Sequence, residues 1–288
     1  MIDYELVNMF AERPFAGSPL CVVPDADALP AEAMQALARE VNTTETAFVG
    51  PPSSTDAAYR VRVFTPAGET ARGGHSGVGT AATLVRLGMV PAGSVIQECG
   101  TGGRQHLVAA ADRATLVGRD PLPVADVDAE PLLAAAGLTE EDLSGPAPRA
   151  AGLSTRFPFL PVRDAAVAGA RPDYRRMSEA GIPALFLFSW DPRLRSAHAR
   201  LFAPGFGIPE DPACAPLALA LGVWLTDAGL LPKTDGTHEY LITQGAETGR
   251  RAALRCTTEV SDGRISRVAA TGSVSPVASG RIAVPSPS

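Results

Sequence analysis

Two short polar motifs, each just before a long apolar segment, are the first candidates for chemistry in this sequence of 288 residues. One covers residues 73–77 (GGHSG) and the other covers residues 210–214 (EDPAC). The N-terminus of a helix presents unpaired N–H groups and the positive end of the helix dipole, so it binds carboxylates. Either motif alone is more typical of a helix cap, with Ser76 and Asp211 as the capping residues. Their matching positions favour an anion-binding site.

Glu45 is a third candidate and lies in the polar stretch 42–46 (NTTET), between a helical pattern and a strand pattern. A glutamate in such a loop is most often a solvated surface acid. It can act as a general acid or base only if the fold buries it in part and places it beside a reacting group. The local sequence around Glu45 leaves both interpretations open.

The two apolar segments predict two buried helices. Residues 75–87 and 216–228 are small or apolar on every side, and the segments end at Gly88 and Gly229. A helix without a polar face is buried on all sides. Strand patterns surround these helices, at residues 4–10, 20–23, 46–49, 59–64, 157–162, 184–188 and 252–284.

An internal repeat divides the chain into two similar halves. Residues 62–66 (RVFTP) and 200–204 (RLFAP) share the pattern Arg-apolar-Phe-x-Pro, and one of the buried helices follows each of them. Strands wrapped around a central helix explain why that helix has no polar face. We therefore expect an N-terminal half of residues 1–119 and 268–288, a C-terminal half of residues 120–267, and an active-site cleft between them.

Composition argues against several classes of protein. The formal charge is −6, from 25 basic and 31 acidic residues, whereas a non-specific nucleic-acid binder needs a net basic face. The longest apolar runs are too short to span a membrane. The four cysteines and four histidines lack metal-ligand spacing, and the N-terminus lacks a signal-peptide pattern. We expect a soluble cytoplasmic protein with no metal, no nucleic-acid partner and no membrane partner.

The order of several longer motifs resembles the phenazine-biosynthesis PhzF-like family, which shares its fold with diaminopimelate epimerase. The matching stretches run nearly from end to end of the chain, and their joint order and spacing are specific. They are residues 10–23 (FAERPFAGSPLCVV), 34–49 (MQALAREVNTTETAFV), 63–82 (VFTPAGETARGGHSGVGTAA), 152–162 (GLSTRFPFLPV), 200–225 (RLFAPGFGIPEDPACAPLALALGVWL), 244–250 (QGAETGR) and 268–281.

This resemblance implies an α+β fold of two pseudo-symmetric halves, each a mostly antiparallel barrel-like sheet around a central buried helix, with the active site between them. It also implies a homodimer, no metal and no organic cofactor. Sites of this family isomerise or epimerise small acids by moving a proton. Glu45 matches the family's catalytic acid/base. Gly74 and His75 match its Gly-His pair, and Asp211 matches the acid of its Glu-Asp-Pro-Ala motif.

The sequence departs from the family pattern at the start of both buried helices. The usual Gly-His-Pro-Thr is GHSG at residues 74–77, and the usual Asp-Pro-Ala-Thr-Gly-Ser-Ala is DPACAPL at residues 211–217. The family's Ser-Thr-Gly ends in Arg156 here, which would add a cation for a carboxylate. The expected substrate-binding residues are Gly74, Ser76, Gly77, Cys214, Ala215 and Arg156.

These departures predict a substrate other than the phenazine precursor. We expect a small, cyclic amino or imino acid of a specialised-metabolite pathway such as antibiotic biosynthesis; isomerases of alkylated proline precursors are one candidate. Because Glu45 is the only clear base, migration of a double bond is favoured, with His75 and Asp211 orienting the substrate. Two alternatives stay open. One is a racemase or epimerase that uses Cys214 with a second base, and the other is a small-acid binding protein that lost activity through the changes around Pro216.

Overall fold

The computed structural model describes residues 1–70, 75–100 and 102–285. The chain forms two compact units. Unit 1 consists of Met1–Val117 and Thr271–Ser288, and unit 2 consists of Gly118–Ala270.

Unit 1 is a mostly antiparallel, barrel-like sheet around one helix. Its central helix, α2, is buried along nearly its whole length and packs on four strands of the unit. A second helix, α1, carries one buried face that packs on an apolar cluster with Phe48 and Phe64. The elements in chain order are β1 (Ile2–Met9), β2 (Ser18–Val23), α1 (Ala31–Val41), β3 (Glu45–Gly50), β4 (Tyr59–Phe64), β5 (Glu69–Thr70), α2 (Ser76–Arg86), β6 (Gly93–Cys99), β7 (Arg104–Ala110) and β8 (Arg113–Gly118).

Unit 2 repeats this arrangement around its own helix, α6. All but two of the 13 residues of α6 are buried, as expected of a helix that is apolar on every side. The elements are β9 (Ala125–Asp126), α3 (Ala129–Ala136), β10 (Arg149–Gly152), β11 (Arg156–Pro161), α4 (Asp164–Gly169), α5 (Tyr174–Glu179), β12 (Leu185–Asp191), β13 (Ser196–Ala203), β14 (Ile208–Asp211), α6 (Ala215–Asp227), β15 (Gly236–Gln244), β16 (Ala252–Ser261) and β17 (Arg264–Ile282). The last residues of β17 return to unit 1 and pair antiparallel with β1.

Strand pairing confirms that the two units are pseudo-symmetric. In unit 1, β1 pairs antiparallel with β2, β2 parallel with β3, β3 antiparallel with β4, β4 parallel with β6, and β6 antiparallel with β7. In unit 2, the strands β10, β11, β12, β13, β15 and β16 pair in the same order and the same directions. The predicted α+β fold class is therefore correct for each unit.

The sequence repeat has a structural counterpart in both units. Arg62 of β4 binds Glu69 of β5 and lies over the ring of Phe64, with the guanidinium carbon 5.3 Å from the ring centre. In unit 2, the guanidinium of Arg200 binds both carboxylate oxygens of Glu210, and its carbon lies 4.7 Å from the ring centre of Phe202. The repeated arginine and phenylalanine thus brace the hairpin that leads to the central helix of each unit.

The two central helices begin close to where the sequence predicts them. Both α2 and α6 follow a short strand, and each ends just before its glycine, Gly88 or Gly229. Within the described parts of the chain, no helix is both long enough and apolar enough to cross a membrane.

Candidate active site

Glu45 lies at the start of α2 and is buried rather than solvated. It is the first residue of β3, which pairs in parallel with β2 so that Leu20 lies beside Glu45. The backbone N–H of Ser76, the first residue of α2, donates a hydrogen bond of 3.0 Å to Glu45 Oε2. Because Glu45 retains only 4% of its accessible surface, the interpretation as a surface loop acid is wrong.

His75 lies beside this carboxylate. It is the N-cap residue of α2, it is buried, and its Nε2 atom is 3.9 Å from Glu45 Oε2. The same ring nitrogen is 3.1 Å from the hydroxyl oxygen of Ser18, which is the first residue of β2 and is fully buried. Ser18 therefore fixes the orientation of the imidazole ring next to Glu45.

Ser76 adds a hydroxyl group to the same helix start. The side chain is fully buried, and among the described residues its oxygen has no hydrogen-bond partner. The hydroxyls of Thr80 and Thr83, four and seven residues later, are buried and unpartnered in the same sense. Since residues at these spacings share one helix face, a polar row runs along α2 from its first turn.

Gly77 lies directly against a side chain of β7. A β-carbon at this position would lie 2.3 Å from the Oε1 atom of Gln105, closer than any real contact. That oxygen accepts a hydrogen bond of 3.2 Å from the Nε2 atom of Gln97, whose own side-chain oxygen accepts from the hydroxyl of Tyr59. The threonine expected from the family pattern could not fit here without moving Gln105.

Asp211 occupies the start of the corresponding helix in unit 2. It is the last residue of β14, it is buried, and its Oδ1 atom accepts a hydrogen bond of 3.1 Å from the N–H of Ala213. The side-chain amide of Gln244 donates a hydrogen bond of 2.7 Å to the backbone oxygen of Asp211. The carboxylate is thus held at the turn that leads into α6.

The helix caps differ from the simplest interpretation of the motifs. His75 and Cys214 are the N-cap residues of α2 and α6, and neither side chain makes a capping hydrogen bond. Ser76 is already the first helical residue, and Asp211 lies three residues before the cap of α6. The capping roles considered for Ser76 and Asp211 are therefore wrong. Ser76 already belongs to the helix, and Asp211 accepts its hydrogen bond from the N–H of Ala213, before α6 begins.

Cys214 and Ala215 are both buried at the start of α6, where Pro216 occupies the first turn. A proline is tolerated there because the first N–H groups of a helix have no partner within it. Elsewhere in the chain, burial raises the pKa of the Cys21 thiol and of the Cys256 thiol to about 12. Those two cysteines are therefore protonated core side chains.

The remaining predicted site residues are Arg156 and Gly74. Arg156, the first residue of β11, is exposed, and its Nε atom donates a hydrogen bond of 2.7 Å to the backbone oxygen of Pro123. Gly74 falls in the stretch 71–74, which lies outside the described residues. Their substrate-binding roles stay predictions.

Strand register shows that the two units carry different residues at the position of Glu45. In unit 1, Thr46 of β3 lies opposite Phe64, and Glu45 precedes it. In unit 2, Leu185 of β12 lies opposite Phe202, and Ala184 precedes it. A carboxylate in one unit is thus replaced by a buried methyl group in the other.

Comparison with known proteins places the chain in a family. The profile of the phenazine biosynthesis-like proteins, PhzC-PhzF, matches residues 7–280. The chain belongs to this family. It is 32% identical over 300 residues to an uncharacterized isomerase of Mesorhizobium japonicum, covering 97% of this chain and 98% of the relative. It is 30% identical over 301 residues to the trans-2,3-dihydro-3-hydroxyanthranilate isomerase of Pseudomonas aeruginosa, covering 98% of this chain and 99% of the relative.

Solved structures of this PhzC-PhzF fold agree with the architecture. A predicted epimerase from Pseudomonas aeruginosa is 27% identical, with a TM-score of 0.79 over 98% of this chain and 99% of that structure. A PhzF-family protein from Bacillus anthracis reaches a TM-score of 0.85 at 22% identity over 98% and 99% of the two chains, which bears on the fold alone. With isomerases among its full-length relatives, this PhzC-PhzF protein is an enzyme of the isomerase class.

Proposed function

We propose that this protein is a cofactor-independent isomerase that moves a proton, and with it a double bond, within a small carboxylic acid. Glu45 is the acid/base that carries the proton. The observation that supports this role most strongly is the burial of its carboxylate against the first backbone N–H of α2 and the ring of His75.

The chemistry needs a base and a stabiliser of negative charge at the same place. Glu45 removes a proton from a carbon next to the substrate's π system, and the electron pair of the broken C–H bond enters that system. His75 and the remaining N–H groups of the first turn of α2 stabilise the developing negative charge, since the N–H of Ser76 is already donated to Glu45. Glu45 then returns the proton to a different carbon, so atoms and electrons balance without a further reagent.

A single carboxylate favours migration of a double bond over inversion of a stereocentre. Inversion needs one base on each face of the substrate, and the position in unit 2 that corresponds to Glu45 is Ala184. The competing two-base mechanism would use Cys214, which is the N-cap residue of α6. The third possibility, a binding protein without activity, would have no use for a buried Glu45.

The expected substrate is a cyclic amino or imino acid of specialised metabolism, including antibiotic biosynthesis. The relatives from Pseudomonas are named for trans-2,3-dihydro-3-hydroxyanthranilate, an amino acid of this kind. We propose that the substrate differs in this chain because Ser76 and Pro216 change both helix starts. Asp211 orients the substrate, and Gly74, Ser76, Gly77, Cys214, Ala215 and Arg156 bind it.

The proposal also covers the location of the protein, its oligomeric state and the partners that it does not bind. The protein is expected to act in the cytoplasm as a homodimer and to bind neither nucleic acid nor membrane. The net charge of −6 supports the expectation on nucleic acid.

Solvent isotope exchange tests the proposed function. The protein is incubated in ²H₂O with trans-2,3-dihydro-3-hydroxyanthranilate and with a panel of cyclic amino and imino acids, and NMR follows deuterium incorporation. Glu45→Gln keeps the size of the side chain and should abolish exchange, whereas the matched control Glu32→Gln, at an exposed position of α1, should leave it unchanged. Full exchange in Glu45→Gln would contradict the proposal.

A further inference from the structure

Gln244 is a buried polar residue beside the start of α6, and its role is not explained by the mechanism above. It is the last residue of β15, with Ala199 of β13 on one side and Ala252 of β16 on the other. Only 1% of its surface is accessible. Its side chain reaches Asp211, 33 positions earlier in the chain, where Nε2 donates a hydrogen bond of 2.7 Å to the backbone oxygen.

This hydrogen bond sets the orientation of the whole amide group. A backbone oxygen can only accept, so the NH₂ end of Gln244 must face Asp211 and the Oε1 end must face away from it. Among the described residues, Oε1 is buried and has no hydrogen-bond partner. A buried acceptor without a partner is unfavourable, and it calls for a donor that arrives from outside the folded chain.

The turn after Gln244 holds the amide against the segment that leads into α6. Gly245 has a φ of +76°, and a β-carbon there would lie 2.6 Å from the backbone oxygen of Arg250 and 2.7 Å from the β-carbon of Pro212. Only glycine fits this close approach. The turn that follows Gln244 therefore packs directly on Pro212, next to Asp211.

We propose that Gln244 is a substrate-binding residue whose Oε1 atom accepts a hydrogen bond from the amino or imino N–H of the substrate. Asp211 and Gln244 place two kinds of acceptor oxygen at the same turn, while the first N–H groups of α6 are donors. An acid that carries both a carboxylate and an N–H group complements this arrangement. The inference rests on the proposed function and deepens it by naming the group that selects the substrate.

Calorimetry with three planar acids tests this role. Anthranilate carries a carboxylate and a neighbouring N–H donor, 2-methylbenzoate replaces the amino group with a methyl group of similar size that cannot donate, and benzoate has the carboxylate alone. The wild-type protein should bind anthranilate about 3- to 12-fold more tightly than the other two, the effect of one hydrogen bond. Gln244→Met should remove this preference while benzoate binding is retained.

Gln97→Met is the matched control, because Gln97 is also fully buried but both ends of its amide are paired within unit 1. This variant should keep the preference for anthranilate.

If the wild-type protein binds all three acids equally well, or if Gln244→Met keeps the preference, Gln244 does not bind the N–H group of the acid. This result would contradict the role of Gln244 but not the proposed isomerase function. If the wild-type protein binds none of the three and exchanges no deuterium, the proposed small-acid site itself is wrong. The comparison of the three acids in the wild-type protein stands even if Gln244→Met does not fold.

Discussion

Ser18→Ala removes one hydroxyl from the candidate active site and leaves Glu45 and His75 in place. The hydroxyl oxygen is 3.1 Å from His75 Nε2, and both side chains are buried. We expect the imidazole to lose its fixed orientation beside the carboxylate. Since His75 is proposed to stabilise charge that develops only during proton transfer, the loss should appear in kcat more than in KM.

The size of the effect of Ser18→Ala follows from the burial of this pair. Loss of a hydrogen bond to a buried group costs about 1 to 3 kcal/mol. If the loss of this hydrogen bond raises the activation free energy by the same amount, kcat should decrease by about 5- to 150-fold. If the cost appears in the stability of the folded protein instead, the free energy of unfolding should decrease by the same amount, about 1 to 3 kcal/mol, because a buried imidazole loses this partner.

The assay for Ser18→Ala measures the rate of deuterium exchange as a function of acid concentration and of pH, together with urea unfolding. Ser275→Ala is the control, because it removes a partly buried hydroxyl of unit 1 that donates to Ala11 and has no part in the mechanism. The pH profile of kcat should change in Ser18→Ala and not in Ser275→Ala. If the two variants lose the same small amount of activity, Ser18 is a structural residue only.

Three further outcomes are expected. Glu210→Ala removes the partner of a buried arginine and should cost about 3 kcal/mol of unfolding free energy, whereas Glu69→Ala, at the equivalent but more exposed pair, should cost less than about 1 kcal/mol; urea denaturation of both variants measures the difference. The pKa of Glu98 is lowered from 4.5 to about 2, mainly by a hydrogen bond from Ser54 and next by hydrogen bonds from Ser53. The stability that Glu98 contributes is therefore fully present above pH 4.5 and is lost as the pH falls toward 2. The gap in stability between the wild-type protein and Glu98→Gln should therefore close over that range, and a constant gap would contradict the assignment. Cys214→Ala should weaken substrate binding but retain deuterium exchange at saturating acid, because a buried thiol and not a second base is expected there; loss of exchange at saturating acid would favour the two-base mechanism.

The central helices and the repeat could be predicted from the sequence because their signals are local. Residues 75–87 and 216–228 are small or apolar on nearly every side and lack a charged face, which is typical of a helix buried among strands. The Arg-apolar-Phe pattern marks the same hairpin in both units because Arg62 and Arg200 stack on the phenylalanine two residues later. Both signals lie within a few consecutive residues.

The site was predictable only in part, because its geometry depends on distant partners. The residues around Glu45 do not show that it is buried; the parallel pairing of β2 with β3 and the start of α2 bury it, and its role was inferred from the family resemblance. Ser18 was not singled out, since its partner His75 is 57 positions away. Gln244 was likewise missed, although an amide at the end of an alternating strand and before a glycine is a signal that could have drawn attention to it.

The cap assignments failed for a related reason. A serine or an aspartate before an apolar segment is typical of a helix cap, but the spacing alone cannot show whether the helix starts before or after it. In the structure, α2 starts at Ser76 itself. In unit 2, Pro212 and Ala213 lie between Asp211 and Cys214, which is the N-cap residue of α6.

Transfer of an isotope label within one substrate molecule tests the central claim most directly. An acid from the exchange panel is prepared with deuterium on the carbon that loses its proton, and the reaction is run in ordinary water. If the Glu45 carboxylate carries the proton from one carbon to the other, part of the deuterium should appear on the accepting carbon of the product, and Glu45→Gln should form no product. Formation of labelled product by Glu45→Gln at the wild-type rate would contradict the account.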